Sequence, residues 1–543
     1  LLDLWYKNAV IYCIDVETFQ DGNDDGVGDF AGLIERLDYL EALEVTCIWL
    51  TPFYPTPNRD NGYDITDFYA VDPRLGTLGD FVNFARAARH RGMRVIVDLV
   101  VNHTSVDHPW FQAARSDPNS PYRDWYVWSK EKPEDAEDGV VFPGVQDSTW
   151  TWDEQAGAYY FHRFYEHQAD LNIANPAVTE EIQKIMGFWL ELGVVGFRLD
   201  AVPFLIEYTG LDSHPEGDPH EYLTELRRFL SWRKAEAVLL AEANIPMEMA
   251  DEYFGRDDRM TMVFHFMLNQ HLFLALARGD GRPVVDMLRN TPEIPKTGQW
   301  AHFLRNHDEL DLGRLSDADR EEVFQAFGPD PDMQIYHRGI RRRLAPMLDG
   351  DTRRIAMAFS LMFTLPGTPV LWYGDEIGMG DDLTQTERNS VRTPMQWNGR
   401  RNAGFSTAPA ERLIRPVIAD GPFGFLGLNV EEQLDRPESL FEQVRRMVRE
   451  RRSHAEIGWM PYEIVDAREP AVVALSRRSK DGQILTLHNL ANRAVEVRLD
   501  VPEGPVRVHR LLADGESDLH GLEQGTARLA PYGHAWIKLE PRG

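Results

Sequence analysis

Three acidic residues, Asp200, Glu242 and Asp308, each close a short apolar run: GFRLDAV, LLAEAN and FLRNHDE. Arg198, Arg305 and His307 stand beside them, and Asn102 and His103 follow a further apolar run, VIVDLVV. Asp64 lies in NGYDITDF, after a fourth such run. Carboxyl groups crowded together raise one another's pKa, so one becomes an acid while others stay ionised. Acid-assisted cleavage of an acetal needs that division: one carboxylate as nucleophile and one carboxylic acid to protonate the leaving oxygen. A single one of these acids could as well cap a loop or pair with a surface cation. Four carboxylates with two histidines and two arginines, all at comparable chain positions, define a site.

Such a site needs elements that bring distant segments together. Apolar runs begin near residues 9, 45, 94, 195, 237, 260, 299 and 368, and amphipathic helical patterns such as DFVNFARAARHRG separate them. Nearly continuous apolar strands alternating with helices predict a parallel sheet, and eight βα repeats predict a closed (β/α)₈ barrel. A doubly wound sheet is the alternative, but no Gly-x-Gly-x-x-Gly fingerprint follows the first strand. In a barrel the catalytic groups sit at the C-terminal ends of the strands, where these acids fall. Between 103 and 170 the alternation stops, giving a loop-rich inserted domain rich in Trp, Tyr and Pro. From 456 to 543, short alternating runs with turn signals predict an antiparallel β domain. The expected organisation is a catalytic barrel over 1–102 and 171–455, an insert over 103–170 and a C-terminal β-sandwich over 456–543.

The 543 residues carry 87 acidic and 57 basic side chains, a formal charge of −30. That excess repels phosphate backbones and anionic lipid surfaces, so neither nucleic acid nor membrane is an expected partner. No apolar run approaches the ~20 residues of a membrane span, and the first residues do not read as a signal peptide. Cys13 and Cys47 are the only cysteines, too few for a disulfide framework, and both sit in apolar runs. The expectation is a cytoplasmic protein with reduced, buried thiols. Composition does not set the oligomeric state; a homodimer is one option.

The motifs VDLVVNHT, QADLN, GFRLDAV, LLAEAN and FLRNHDE resemble those of the α-amylase family, glycoside hydrolase family 13, over essentially the whole chain. The resemblance implies Asp200 as nucleophile, Glu242 as general acid/base and Asp308 as a stabiliser gripping sugar hydroxyls. It further implies Arg198 as the orienter of Asp200, with His103, His307, Phe164 and Gln168 against the sugar. NGYDI and RTPMQW imply that Asp64 and Arg392 pair beyond the terminal glucose, as in exo-acting members; Arg392 read alone could equally be a surface cation.

Further matching segments, RDNGYDI, YYFHRFYEHQADLN, RLDAVPFL and YGDEIGMGD among them, imply the branch that interconverts maltose and trehalose by intramolecular transglucosylation. The alternatives are an α-glucosidase or transglucosidase on short α-glucosides or sucrose, and a non-catalytic sugar-binding relative. Two departures from that branch fall near the site: Ile245-Pro246-Met247 after EAN, and LTQTERNS before VRTPMQW. Isomerisation also requires a cover that excludes water. Segment 310–351 is a candidate for it, with GIRRRLAPML either placing arginines over the acidic mouth or forming a solvated basic face.

The run DGNDDGVGD places oxygen donors at alternating positions, suited to structural Ca²⁺ through Asp21, Asn23, Asp25, Asp29 and the Val27 carbonyl. An aspartate-rich turn without metal is the plain alternative. The family resemblance implies a second calcium site from Asn102, Asp170 and Glu207 with the carbonyls of Phe204 and Leu205.

Overall fold

The computed structural model describes residues 3–207, 218–480, 482–500 and 506–541. Eight parallel strands close a barrel: β1 (Ile11–Ile14), β2 (Cys47–Leu50), β3 (Arg94–Leu99), β4 (Gly196–Leu199), β5 (Val238–Ala241), β6 (Met262–Phe264), β7 (Gln299–Phe303) and β8 (Thr368–Trp372). Each pairs with its neighbours in sequence, and β8 returns to β1 through Ile11↔Val370. All eight expected strands are present. Their residues are almost wholly buried, which is why the runs read as continuously apolar rather than alternating.

The covering helices form where the sequence supplies ends as well as a face. Thr77 and Asp80 make a reciprocal capping box at the start of Leu78–His90, and Gly92 follows that helix at φ 75°, a left-handed position that favours glycine. Asn175 caps Pro176–Glu191, with proline in the first turn. Trp189 of that helix packs edge-on against Phe53, Tyr54 and Phe81, filling the space between sheet and helix layer.

After β3 the chain leaves the barrel. His103–Ser105 pairs antiparallel with Gln168–Asp170, and between them lie the helix Pro109–Ser116 and a three-stranded sheet (Trp128–Ser129, Trp150–Asp153, Ala158–Phe161). At the C-terminus, Glu463–Ile464, Val472–Ser479, Gly482–Asn489, His534–Pro541 and Val506–Ala513 form a five-stranded antiparallel sheet, with a two-stranded sheet beside it.

This last domain is fastened to the helix Thr352–Thr364, whose final carbonyls lack helical partners. Arg477 donates to Thr364 O at 2.6 Å, beside Arg451 of the barrel's own helix Leu440–Ser453, which donates to Phe363 O and Gly367 O at 2.6 and 2.5 Å. Trp536 Nε1 and His488 Nε2 meet the hydroxyl of Ser360 on the same helix. Cys13 and Cys47 are free and buried, and among the described residues no helix is long and apolar enough to cross a membrane.

Candidate active site

The C-terminal ends of the strands open into a cavity of about 580 Å³ lined by Asp200, Glu242 and Asp308 together with Asp60, Tyr63, His103, Phe164, Gln168 and Arg388. One guanidinium organises its floor. Arg198, buried on β4, donates through Nη1 to Asp98 at 2.9 Å and to Asp200 at 2.5 Å, and through Nη2 to Glu242 at 2.9 Å. Ala201, next after Asp200, adopts the left-handed φ of 49°, unusual for a residue with a Cβ. The turn sends its N–H to Glu242 Oε2 at 3.0 Å, so the segment bearing one carboxylate also orients the next.

These contacts separate the three acids. Burial pushes the Asp200 carboxyl up to about 6 against the pull of Arg198, while Asp98 and Asp308 raise it further. Glu242 is raised to about 7, first by burial, with Arg198 opposing and the charges of Asp200 and Asp308 adding to it. Both carboxylates converge on the one Arg198 guanidinium, Asp200 at 2.5 Å and Glu242 at 2.9 Å. Asp308 is the reverse case. Burial disfavours its charge, but His307, Arg388 and Arg392 at 3.0, 3.0 and 2.9 Å hold it well below the carboxylate range. Of these three acids, Glu242 therefore holds its proton most readily and Asp308 least.

Tyr63 stacks on His307, its hydroxyl 2.7 Å from Nε2 and 3.0 Å from Asp98 Oδ2. His103 Nε2 lies 2.9 Å from the Tyr63 carbonyl, and burial lowers this imidazole to about 4, keeping it neutral. Phe164 packs edge-on against His103 and Phe204. Gln168 donates to Asp60 at 2.9 Å.

The expected pairing of Asp64 with Arg392 is not what forms. Asp64 is fully buried and spends its oxygens on Thr56 Oγ1, Arg59 N and Asp60 N, closing its own turn. Arg392 lies behind Asp308, donating to that carboxylate and to the His307 carbonyl. The pair at the cavity wall is Asp60 with Arg388, at 2.8 Å. Asp60 belongs to the same RDNGYDI motif, so the signal was present; turn geometry decides which of its two aspartates faces inward. Asp98 lay hidden as a polar residue inside an apolar strand.

Segment 310–351 does reach over the cavity, through Arg314 and Arg338. Arg338 donates to Val141 O of the insert at 2.7 Å, and Tyr336 packs on Phe142. The arginines of GIRRRLAPML form neither a mouth cluster nor a solvated face. Arg341 binds loop carbonyls, Arg342 pairs with Asp381, and Arg343 is buried against Asp375.

Among the described residues no three acidic, imidazole or thiol side chains form a ready-made metal cage. In the Asp21–Asp29 loop, Asp21 accepts from Asn23 N, Asp24 N and Gly26 N, and Asp29 from Gly32 N. The donor set is oxygen only, and the charges of Asp21 and Asp25 raise Asp29 beyond the effect of its burial, a strain that a hard cation would relieve. The second set differs. Arg163 donates to Glu207 at 2.8 Å and Asn102 Nδ2 to Asp170 at 3.1 Å, so an ion there would compete with a guanidinium.

The barrel, its strand-end acids and its inserted domain define the class: the chain belongs to the α-amylase family, whose catalytic-domain model matches residues 13–326 and 341–459. The C-terminal immunoglobulin-like domain of D-apionate lactonase matches residues 469–537. Within the family, the chain is 44% identical to a trehalose synthase of Pimelobacter sp. (strain R48), covering 98% of this chain and 96% of that one. It is also 44% identical to a trehalose synthase of Thermus thermophilus, over 99% of this chain and 56% of that one. Among solved structures, an isomaltulose synthase mutant from Erwinia rhapontici NX5 superposes with a TM-score of 0.79 at 26% identity, covering 99% of each chain.

Proposed function

We propose that this protein interconverts maltose and trehalose by double displacement within one enclosed pocket. Asp200 attacks the anomeric carbon as the bond to the leaving oxygen breaks, and Glu242 passes its proton to that oxygen. The β-glucosyl ester on Asp200 then awaits the released glucose. When that glucose presents its anomeric hydroxyl, Glu242, now a carboxylate, removes the proton, the new oxygen bonds to C1 and Asp200 leaves. Asp308 supplies an anion for hydroxyls that become more acidic as positive charge grows on the ring.

The observation that carries the reading is the shared Arg198, which leaves Glu242 near 7 and Asp200 lower on a single guanidinium. The likeness to trehalose synthases supports the choice of disaccharide. We place Ca²⁺ in the Asp21–Asp29 loop as a structural ion, where it would rigidify the loop without entering the reaction. A reducing cytoplasm suits the two free buried thiols.

Purified protein incubated separately with maltose and with trehalose, followed by anomeric proton resonances, tests the proposal. Each disaccharide should yield the other with little free glucose. Glucose as the dominant product from both would overturn it in favour of a hydrolase.

A further inference from the structure

A second cavity, of about 330 Å³, lies at the seam between the helix Leu440–Ser453 and the C-terminal β domain and shares no lining residue with the catalytic one. Its size is at the low end of the roughly 300–1,000 Å³ that small ligands occupy, room for one or two sugar rings. Met447, buried on the helix, and Leu512 and Tyr532 of the β domain give it an apolar side. Tyr532 sits at φ 56°, a left-handed conformation that persists in a non-glycine residue only when the surroundings impose it. Its N–H is tied to Ala491 O at 3.1 Å, and the Arg354 guanidinium carbon stands 5.7 Å from its ring centre.

Several polar groups around this cavity are uncommitted. Asp514 is used up, accepting from Glu516 N, Ser517 N, Ser517 Oγ and His534 N. Glu438 and Glu516 line the same space and form no ion pair among the described residues. Arg446 donates to the Glu442 and Pro437 carbonyls rather than to an acid, and Arg353 pairs with Asp351 at the rim. His534 is buried against the cavity, and its Nδ1 makes no hydrogen bond; burial lowers this imidazole to about 4, so the ring is neutral. Three carboxylates beside two guanidinium groups disfavour an anion, and the guanidinium groups disfavour a cation. A neutral molecule rich in hydroxyls can use donors and acceptors alike while its C–H face lies on the tyrosine ring.

We propose that this seam cavity is a second, non-catalytic binding site for a glucose unit, with Tyr532 under the ring and Glu438, Gln443 and Arg446 on its hydroxyls. The choice of glucose among neutral sugars rests on the glucoside-active reading above, but the binding does not depend on which disaccharide the enzyme makes. Equilibrium dialysis against labelled maltose tests it in the full chain carrying Asp200→Asn, so that turnover does not consume the ligand. Tyr532→Ala, added to that chain, should bind one maltose fewer than its parent, the affinity of the seam falling about tenfold or more. Gln443→Ala, on the half-buried flank of the helix, should weaken the same site about three- to tenfold, and it carries the test should Tyr532→Ala not fold. Free glucose should displace this maltose, and inorganic phosphate should not. Equal binding by the parent and each folded variant, or displacement by phosphate, would overturn the proposal. Failure of the maltose–trehalose reading would show separately, as glucose in place of the second disaccharide when the unaltered protein is assayed.

Discussion

Asp98 touches no substrate in the proposed mechanism, yet its charge should set the acid limb of activity. Asp98 and Asp200 both accept from Nη1 of Arg198, at 2.9 and 2.5 Å, so these two oxygens lie within about 5.4 Å of each other. At an effective dielectric of ~20, two unit charges at ~5 Å repel by about 3 kcal/mol, or roughly two pKa units. Asp98→Asn keeps the shape and one acceptor oxygen, enough for Arg198 or Tyr63 but not both, while removing the charge. Burial raises Asp98 itself to about 6, so it carries only part of a charge at that limb, and Asp200, now raised to about 6, should ionise up to about one unit lower. The nucleophile must be ionised and Glu242 protonated, so the unaltered protein should show a narrow bell in kcat/KM with limbs near 6 and 7, each belonging to the coupled pair. Asp98→Asn should extend activity to lower pH and leave the alkaline limb nearly fixed. Initial rates on maltose between about pH 4 and 9 decide it. An acid limb that stays in place or moves upward would refute the reasoning that one guanidinium divides its charge among three carboxylates.

Other outcomes follow from the same geometry. Asp200→Asn should lower maltose turnover on the order of 10⁴-fold or more while leaving the melting temperature near that of the parent, as seen by paired rate and thermal-unfolding measurements. Calcium at about a hundred times its Kd should stabilise the fold by ~2.7 kcal/mol, and Asp21→Ala should abolish that gain in a calorimetric scan. Arg477→Ala should cost about 1–3 kcal/mol by orphaning the Thr364 carbonyl, read as a lower melting temperature with kcat/KM on maltose little changed.

The barrel was legible because burial on both faces writes a strand as an unbroken apolar run, and the acids were legible because they terminate such runs. Side-chain direction inside turns was not. NGYDI and its preceding Asp60 offered two aspartates four residues apart, and only the folded turn shows that Asp64 is consumed by backbone donors. Arg388 lies in an irregular segment with no period to read, where placement depends on Arg341, more than forty residues earlier in the chain. Asp98 is a single polar residue within an apolar run; its meaning appears only when Arg198 is set across from it on the neighbouring strand.

The fastening of the last domain to the helix Thr352–Thr364 bears on how the chain is made. Synthesis delivers the N-terminus first, and domains generally begin to fold as they emerge. Here β8 and the helix before it emerge well ahead of the Arg477, His488 and Trp536 side chains that satisfy the helix end and flank. For the time needed to add about 170 more residues, at some 5–20 per second, the nascent barrel carries unpaired carbonyls and an uncovered apolar helix face. The β domain is thus a closing piece for the barrel, and a chain halted before Trp536 should depend on chaperones to stay soluble.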